Sequence, residues 1–128
     1  MSNKFHRGER LKSRKEIGRL FGKDGQNLSS YPLVLKFAPV DEPRSGFGFQ
    51  AAFVVPKRRF KRAVDRNLIK RRVREAYRLN KGMLQKGEAD EKPQYALMFI
   101  YTGKEAMPYK YIEKKMRKLL DQLKDKII

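Results

Sequence analysis

The sequence predicts one α+β domain over residues 1–128, an α/β sandwich in which helices pack on a mixed sheet of three to four strands. Three observations predict it. The length fits a single hydrophobic core of ordinary size. Apolar runs rich in β-forming residues, as in strands, lie at 33–40, 46–55 and 95–103. Apolar residues at helical spacing lie within 13–23, 62–80 and 108–125.

The first helix is indicated by three apolar residues at helical spacing. Ile17, Leu20 and Phe21 recur three to four residues apart, as on one face of a short amphipathic helix. The glycines at 22 and 25 are expected to end it. The preceding residues, 1–10, are polar, and we expect them to form a mobile tail.

The strands are expected to form one mixed sheet. The runs at 33–40 and 46–55 flank a segment of turn composition, DEPRSG, which predicts a hairpin. The second run becomes continuously apolar, as in a strand covered on both faces. The helix at 62–80 lies between the second and third strands and is expected to cross over between them. The linkers leave room for one very short additional strand. The third helix is expected to begin near Pro108 and to run to about Asp125.

The helix at 62–80 has one apolar side and one cationic side. Its apolar side, expected to be core, carries Leu68, Ile69, Val73 and Ala76, with Tyr77 at the margin. Its opposite side carries Asn67, Lys70, Arg71, Arg74, Arg78 and Lys81. Segment 57–81 contains twelve Lys or Arg against Asp65 and Glu75 alone, whereas a solvated helix usually mixes signs. This excess predicts a surface that binds a polyanion.

The whole chain carries the same bias. Its net charge is +18 and its pI about 10.4, although a small domain needs a charge of magnitude only about 2–8 for solubility. Nucleic acid is the first candidate partner and an anionic membrane surface the second. The bulky apolar residues of 62–80 are too few to insert into a membrane and also close a core. No apolar run reaches the roughly 18–20 residues that span a bilayer.

Two motifs resemble the bacterial ribonuclease P protein component. The segment RNLIKRRVRE at 66–75, preceded by VVPKRRFKRAVD, is similar to the signature of that family, and RLKSRKEIGRLF at 10–21 is similar to its N-terminal segment. The resemblance implies a fold like that of ribosomal protein S5 domain 2, with an unusual left-handed βαβ crossover. It implies a protein subunit that binds the catalytic RNA and the 5′ leader of precursor tRNA. It thereby assists Mg²⁺-dependent endonucleolytic removal of that leader.

The resemblance also implies particular RNA contacts. The residues that match the family's RNA-binding positions are Lys57, Arg58, Arg66, Asn67, Lys70, Arg71 and Arg74. The charge pattern extends this surface to Arg62 and Arg78. Arginine suits the role because its planar guanidinium binds phosphate through two parallel hydrogen bonds and stacks on bases.

A second set of positions matches the family's cleft for the 5′ leader. They are Ile17, Phe21, Val34 and Lys36. Ile17 stands where many members have Phe, and Lys36 where some have Tyr. Stacking on the leader is therefore expected to be weaker here, with Lys36 supplying a phosphate contact. The competing interpretation of Ile17 and Phe21 is plain core packing.

The sequence contains no catalytic or metal site of its own that we can identify. A protein nuclease needs an acidic metal-binding cluster or a histidine-based acid–base pair, and the one histidine is His6. This agrees with the resemblance, which implies that the RNA subunit cuts, with Mg²⁺ as the cofactor of the holoenzyme, held mainly by RNA. The chain contains no cysteine, which suits a cytoplasmic protein.

The expected partners are ribonuclease P RNA and precursor tRNA, with no DNA and no membrane. The alternative function is a structural RNA-binding protein of ribosomal type, without a substrate role. A DNA-binding regulator is less favoured, because the helix at 62–80 lacks the short preceding helix and turn of a helix-turn-helix.

Overall fold

The structure, a computed structural model, describes residues 4–40, 48–84 and 94–127. In chain order its elements are α1 Arg14–Leu20, β1 Gln26–Ser30, β2 Leu33–Pro39, β3 Phe49–Val54, α2 Ala63–Asn80, β4 Tyr95–Tyr101 and α3 Tyr109–Ile127. Short 3-10 turns occupy Arg7–Glu9 and Lys81–Leu84. The predicted α+β class, with helices packed on a mixed sheet, is confirmed. None of the helices in the described ranges is long and apolar enough to cross a membrane.

The four strands lie in the order β1-β2-β4-β3. β2 is antiparallel to both β1 and β4, whereas β3 is parallel to β4. The predicted hairpin between the 33–40 and 46–55 strands is therefore wrong, because β4 lies between them. β4 is the strand buried on both faces, so its apolar sequence suits the centre of the sheet. The turn segment 41–46 lies outside the described residues.

The crossover helix and the additional short strand agree with the sequence-based expectation. α2 connects β3 to the parallel strand β4, as expected of the helix at 62–80. β1, with the polar sequence QNLSS, is the very short extra strand for which the linkers left room. The left hand of the crossover stays a prediction from the family resemblance.

One face of the sheet packs against α2 and α3 and forms the main core. Alternate residues of β2 and β4 point to this side, among them Leu35 and Phe99, both fully buried. Phe99 stacks on Phe53 of β3, with ring centroids 5.7 Å apart, and meets Tyr77 of α2 at 5.3 Å. This aromatic cluster holds α2 against the sheet.

The buried side of α2 differs at two positions from the sequence prediction. Ile69, Val73 and Ala76 are buried as predicted, but Leu68 is 36% exposed and does not belong to the core. Tyr77, predicted at the margin, is 1% exposed, and its burial raises the pKa of its hydroxyl. The apolar stripe is centred on the 69, 73, 76 and 77 positions, so Leu68 falls about 100° away from Ile69 around the helix axis.

Phe5 and Glu9 of the N-terminal segment pack against the rest of the chain, although the sequence leads us to expect a mobile tail over 1–10. The Phe5 ring lies 5.7 Å from that of Phe53 and 6.0 Å from that of Tyr77. Glu9 is buried and accepts a hydrogen bond from Lys81 Nζ at 2.6 Å. Arg10 forms a parallel bridge with Ala51, so the chain runs along the open edge of β3. Phe5 and Glu9 therefore anchor this otherwise polar segment. Residues 1–3 lie outside the described ranges.

Candidate nucleic-acid interface

The exposed side of α2 presents the densest group of predicted RNA contacts. Asn67, Lys70, Arg71 and Arg74, here called the α2 surface, are all exposed. Within the described residues, no hydrogen bond or ion pair occupies the charged groups of these last three side chains. Their backbone is fixed by the buried side of the same helix. The α2 surface therefore offers cations on a rigid support, with charge left to neutralise a partner's phosphates.

The loop that precedes α2 extends this charge. Lys57, Arg58 and Arg62 are exposed, whereas Phe60 in the middle of the 57–62 loop is buried, with its ring centroid 5.9 Å from that of Tyr101. The carbonyl of Pro56 accepts hydrogen bonds from the amides of residues 59 and 60, which closes a turn. An apolar anchor thus positions the cations on either side of it.

Arg66 differs from its neighbours on α2. Its side chain is half-buried, and Nη1 donates to the carbonyl of Phe60 at 2.8 Å and to that of Lys61 at 2.9 Å. The guanidinium therefore ties the 57–62 loop to the first turn of α2. Arg66 was predicted to contact RNA, and its remaining N–H groups are compatible with that, but its observed partners are backbone carbonyls of the chain itself.

Two further cations, Arg78 in α2 and Lys81 directly after it, are neutralised by carboxylates of the chain. Arg78 forms an ion pair with Glu75, three residues before it, through Nη2 and Oε1 and through a 3.2 Å bond from Nε. The hydrogen bond from Arg78 lowers the pKa of Glu75, although burial opposes the shift. Lys81 is mostly buried and pairs with Glu9. Of the predicted α2 contacts, Arg78 therefore has the least charge to offer.

A second candidate surface lies on the opposite face of the sheet, which α1 covers only in part. Leu20 of α1 packs with Ala38, Ala96 and Met98 over one end of this face. Next to that cluster, the strand register aligns two rows across β1, β2, β4 and β3, and the first row shares the buried Met98 with the cluster. They are Asn27–Lys36–Met98–Ala52 and Ser29–Val34–Ile100–Val54. Val34 and Ile100 are half-buried and Val54 is exposed, so the second row is open; we call these two rows the open sheet face.

Phe21 and Lys36 border the open sheet face together. Phe21 is 61% exposed at the C-terminal end of α1, and the Lys36 ammonium lies 5.1 Å from its ring centroid. Lys36 Nζ also donates to Asn27 Oδ1 at 3.0 Å. Ile17 is half-buried against the cluster that Leu20 forms with Ala38, Ala96 and Met98, so at least part of its side chain serves packing. Phe21 is free of that constraint and has a ring face available for stacking.

Sequence reasoning missed several residues of this face, among them Asn27, Ile100 and Val54. Asn27 was missed because β1 is too short and polar to read as a strand. Ile100 and Val54 were missed because the continuous apolar runs hide which face each residue takes. Because side chains alternate between the two faces of a strand, Val34 indicates which residues of β2 share its face. Extending this to Ile100 of β4 requires the register between β2 and β4, which only the tertiary structure gives.

Acidic groups in the described part of the chain do not assemble a metal site. No three His, Cys, Asp or Glu side chains there are grouped to hold a metal ion. Glu9, Glu16 and Glu75 each face a cation of the chain. These residues therefore do not fit a resident Mg²⁺, and no chemical step is assigned to one on the protein.

Comparison with known proteins points to one family. The family model described as Ribonuclease P matches residues 5–124. The ribonuclease P protein component of Porphyromonas gingivalis is 36% identical over 114 residues, which cover 89% of this chain and 82% of that protein. The protein component of Chlorobaculum tepidum is 36% identical over 117 residues, covering 84% and 73%.

A solved structure agrees with these sequence matches. The RNase P protein from Thermotoga maritima superposes with a TM-score of 0.68 at 27% sequence identity. The superposition covers 89% of this chain and 96% of that one. Sequence and fold therefore lead to the same group of proteins.

Proposed function

We propose, from the premise that this chain belongs to the ribonuclease P protein family, that its two exposed surfaces bind two different RNAs. Members of the family are the protein component of an endoribonuclease ribonucleoprotein that acts in tRNA 5′ processing, in which the RNA subunit is catalytic. Their partners are ribonuclease P RNA and precursor tRNA. The α2 surface and the 57–62 loop would bind the RNA subunit, and the open sheet face would bind the leader.

The unoccupied cations of α2 are the observation that carries this proposal. Lys70, Arg71 and Arg74 are exposed and have no carboxylate or carbonyl partner within the described residues, so RNA phosphates are their natural counter-charges. Each phosphate neutralised on binding releases condensed counterions from the RNA. Asn67 lies among them and supplies a neutral donor and acceptor for ribose or phosphate.

The cations of the 57–62 loop, Arg66 and Arg78 would contribute to RNA binding to different extents. Lys57, Arg58 and Arg62 continue the positive surface towards the N-terminus of α2. Arg66 would act first by holding this loop, with its outward N–H groups available to phosphate. Arg78 would contribute least while Glu75 neutralises it.

The open sheet face suits a single strand better than a duplex. Single-stranded binding combines a cation for the backbone with an exposed aromatic ring on which a base stacks. Lys36 and Phe21 supply these two groups within 5.1 Å of each other. Val34 and Ile100 add an apolar floor beside them. The two RNA surfaces lie on opposite faces of one sheet, so both RNAs fit at once.

The protein would act on the reaction through charge and position. The RNA subunit and the precursor tRNA repel each other, and the cations of the chain lower that repulsion. Mg²⁺ for the cleavage would be held mainly by RNA, as the family resemblance implies. We propose the cytoplasm as the place of this activity.

Reconstitution tests the proposal. The chain, combined with a bacterial ribonuclease P RNA, should raise kcat/KM for cleavage of precursor tRNA at low millimolar Mg²⁺. The gain should fall in the variant Arg71→Met/Arg74→Met and persist in Lys124→Gln/Lys126→Gln, which removes equal charge from the far end of α3. Absence of stimulation would overturn the proposal. RNA binding that is indifferent to a 5′ leader on the tRNA would favour a structural protein of ribosomal type instead.

A further inference from the structure

We propose that the outer face of α3 is a second binding surface for the ribonuclease P RNA, which contacts a segment different from the one on α2. This inference rests on the proposed function and extends it. The surface consists of Lys110, Tyr111, Lys114, Lys115 and Lys118 and is called the α3 surface.

The charges of α3 are arranged against the stability of the helix. Residues 109–118 contain five cations and one carboxylate, that of Glu113, and the first turn has no acidic residue. The N-terminal end of a helix carries a positive partial charge, so cations there are unfavourable. Lys110, Lys114 and Lys118 also repeat at i,i+4, a spacing at which like charges repel. Solubility alone does not explain this arrangement of cations, because the arrangement lowers the stability of the helix.

The carboxylate of this region is already occupied. Glu113 is half-buried, and its Oε2 accepts hydrogen bonds from Asn80 Nδ2 at 3.1 Å and from the Tyr109 hydroxyl at 3.3 Å. Asn80 belongs to α2, so Glu113 points into the seam between the two helices. The next acids of α3, Asp121 and Asp125, are exposed in its C-terminal half. Among the described residues, no carboxylate therefore pairs with the cations of the α3 surface.

The two cationic surfaces turn away from each other. On α2, Arg72 donates to the carbonyl of Met107, directly before α3, and Arg74 lies about 160° from it around the helix. On α3, Lys118 lies about 140° from Glu113 by the same geometry. The ion pair of Glu75 with Arg78 lies along the seam, beside Tyr109. One RNA segment resting on the α2 surface therefore does not cover the α3 surface.

Tyr111 makes RNA a better match than a membrane. It is 38% exposed, and Lys115 Nζ lies 5.2 Å from its ring centroid, a combination that accepts a base or ribose together with a phosphate. No other large apolar side chain of α3 is exposed, so the helix has too little apolar surface to insert into lipid.

The position of α3 in the fold indicates that its surface would bind the RNA subunit and not the leader of precursor tRNA. α3 packs on the sheet face that carries Leu35 and Phe99, together with α2. The open sheet face, proposed for the leader, is on the other side. The α3 surface therefore lies on the same side of the sheet as the α2 surface, away from the face proposed for the leader.

Tethered cleavage tests the location. The chain has no cysteine, so Lys114→Cys, Arg74→Cys and Asp125→Cys each provide a unique site for an iron chelate that cleaves nearby RNA. Asp125 is the control, about 16 Å along the helix from Lys114. In the complex with precursor tRNA, Lys114→Cys should cleave ribonuclease P RNA at nucleotides different from those cut by Arg74→Cys.

The other outcomes each have one meaning. Cleavage from Lys114→Cys no stronger than from Asp125→Cys, at the same nucleotides as Arg74→Cys, or on the precursor tRNA overturns the inference. If Arg74→Cys cleaves and Lys114→Cys does not, the inference fails and the proposed function stands. If neither cleaves, the proposed function fails with it.

Salt dependence gives a second, independent measurement on RNA without tRNA. Lys114→Gln/Lys118→Gln should lower the slope of log K against log salt by about 2 units. Lys124→Gln/Lys126→Gln removes the same charge from the other half of α3 and should leave the slope unchanged. Both variants should melt at temperatures close to that of the unmodified chain. Equal slopes for the two variants overturn the inference.

Discussion

Arg66 can either hold the 57–62 loop in place or bind RNA phosphate, and the structure allows these two roles to be distinguished. Its Nη1 donates to the carbonyls of Phe60 and Lys61 in the absence of RNA, so the structure assigns it to holding the 57–62 loop. The perturbation is Arg66→Met, which keeps most of the side-chain stem and removes the guanidinium. The matched control is Arg71→Met, the same change at a cation that lacks a hydrogen bond to the described residues.

The expected magnitude follows from the two hydrogen bonds. Each bond from a charged donor contributes up to about 1.5–3 kcal/mol, and the half-exposed position weakens both. We therefore expect Arg66→Met to lower the free energy of unfolding by about 1–2 kcal/mol. Arg71→Met should change it by no more than about 0.5 kcal/mol, as for an ordinary surface site.

Three measurements on both variants check this reasoning. Denaturant unfolding gives the free energy, amide hydrogen exchange reports the order of the 57–62 loop, and the salt slope of RNA binding counts phosphate contacts. Arg66→Met should lose stability and speed exchange in the loop. Arg71→Met should keep both and lower the slope by about one unit. Unchanged stability and exchange in Arg66→Met, with a slope lower by one unit, would refute the loop-holding role.

Three more predictions concern the core, the leader and the Arg78 ion pair. Ile69→Ala should cost about 2–5 kcal/mol of stability in denaturant unfolding, while Leu68→Ala should cost less than about 1 kcal/mol; similar losses would mean that α2 is rotated from its described orientation. Phe21→Ala should weaken binding of leader-bearing precursor tRNA to the holoenzyme by about 1–3 kcal/mol and leave tRNA without a leader unaffected; equal weakening of both would place Phe21 in packing. Glu75→Gln should remove the negative charge that neutralises Arg78 and raise the salt slope of RNA binding by about one unit at pH 7, where the lowered pKa of Glu75 keeps the native carboxylate ionised; a constant slope would show that Arg78 does not reach phosphate.

The sequence predicted the helices and strands well because their patterns are local. The spacing of Ile69, Val73 and Ala76 gives the orientation of α2 to within about one residue position, and Leu68 and Tyr77 exchange roles within that margin. The cations of the α2 surface were placed correctly on the exposed side for the same reason.

What the sequence missed depends on contacts between distant residues. Turn composition at 41–46 favoured a hairpin, but pairing in the sheet places β4 beside both β2 and β3. The packing of Phe5 and Glu9 could not be read from a polar N-terminus, because their partners Tyr77 and Lys81 are more than 70 residues away. Such pairings carry no signal in a single sequence.

The sequence predicted where the cations of the site lie, but not which of them are paired within the chain. Sequence composition counts Arg66 and Arg78 as equal to Arg71. The structure distinguishes them, because Arg66 donates to carbonyls and Arg78 to a carboxylate. The i,i+3 spacing of Glu75 and Arg78 was a usable signal for the second case, whereas the loop carbonyls offered none for the first.

The most direct test of the central claim is the salt dependence of binding to ribonuclease P RNA. The claim is that Arg71 and Arg74, which have no hydrogen-bond or salt-bridge partner among the described residues, neutralise phosphates of that RNA. Arg71→Met/Arg74→Met should fold with unchanged stability and lower the slope of log K against log salt by about 2 units relative to the unmodified chain. A variant that folds normally and binds with the same slope and affinity would contradict the account.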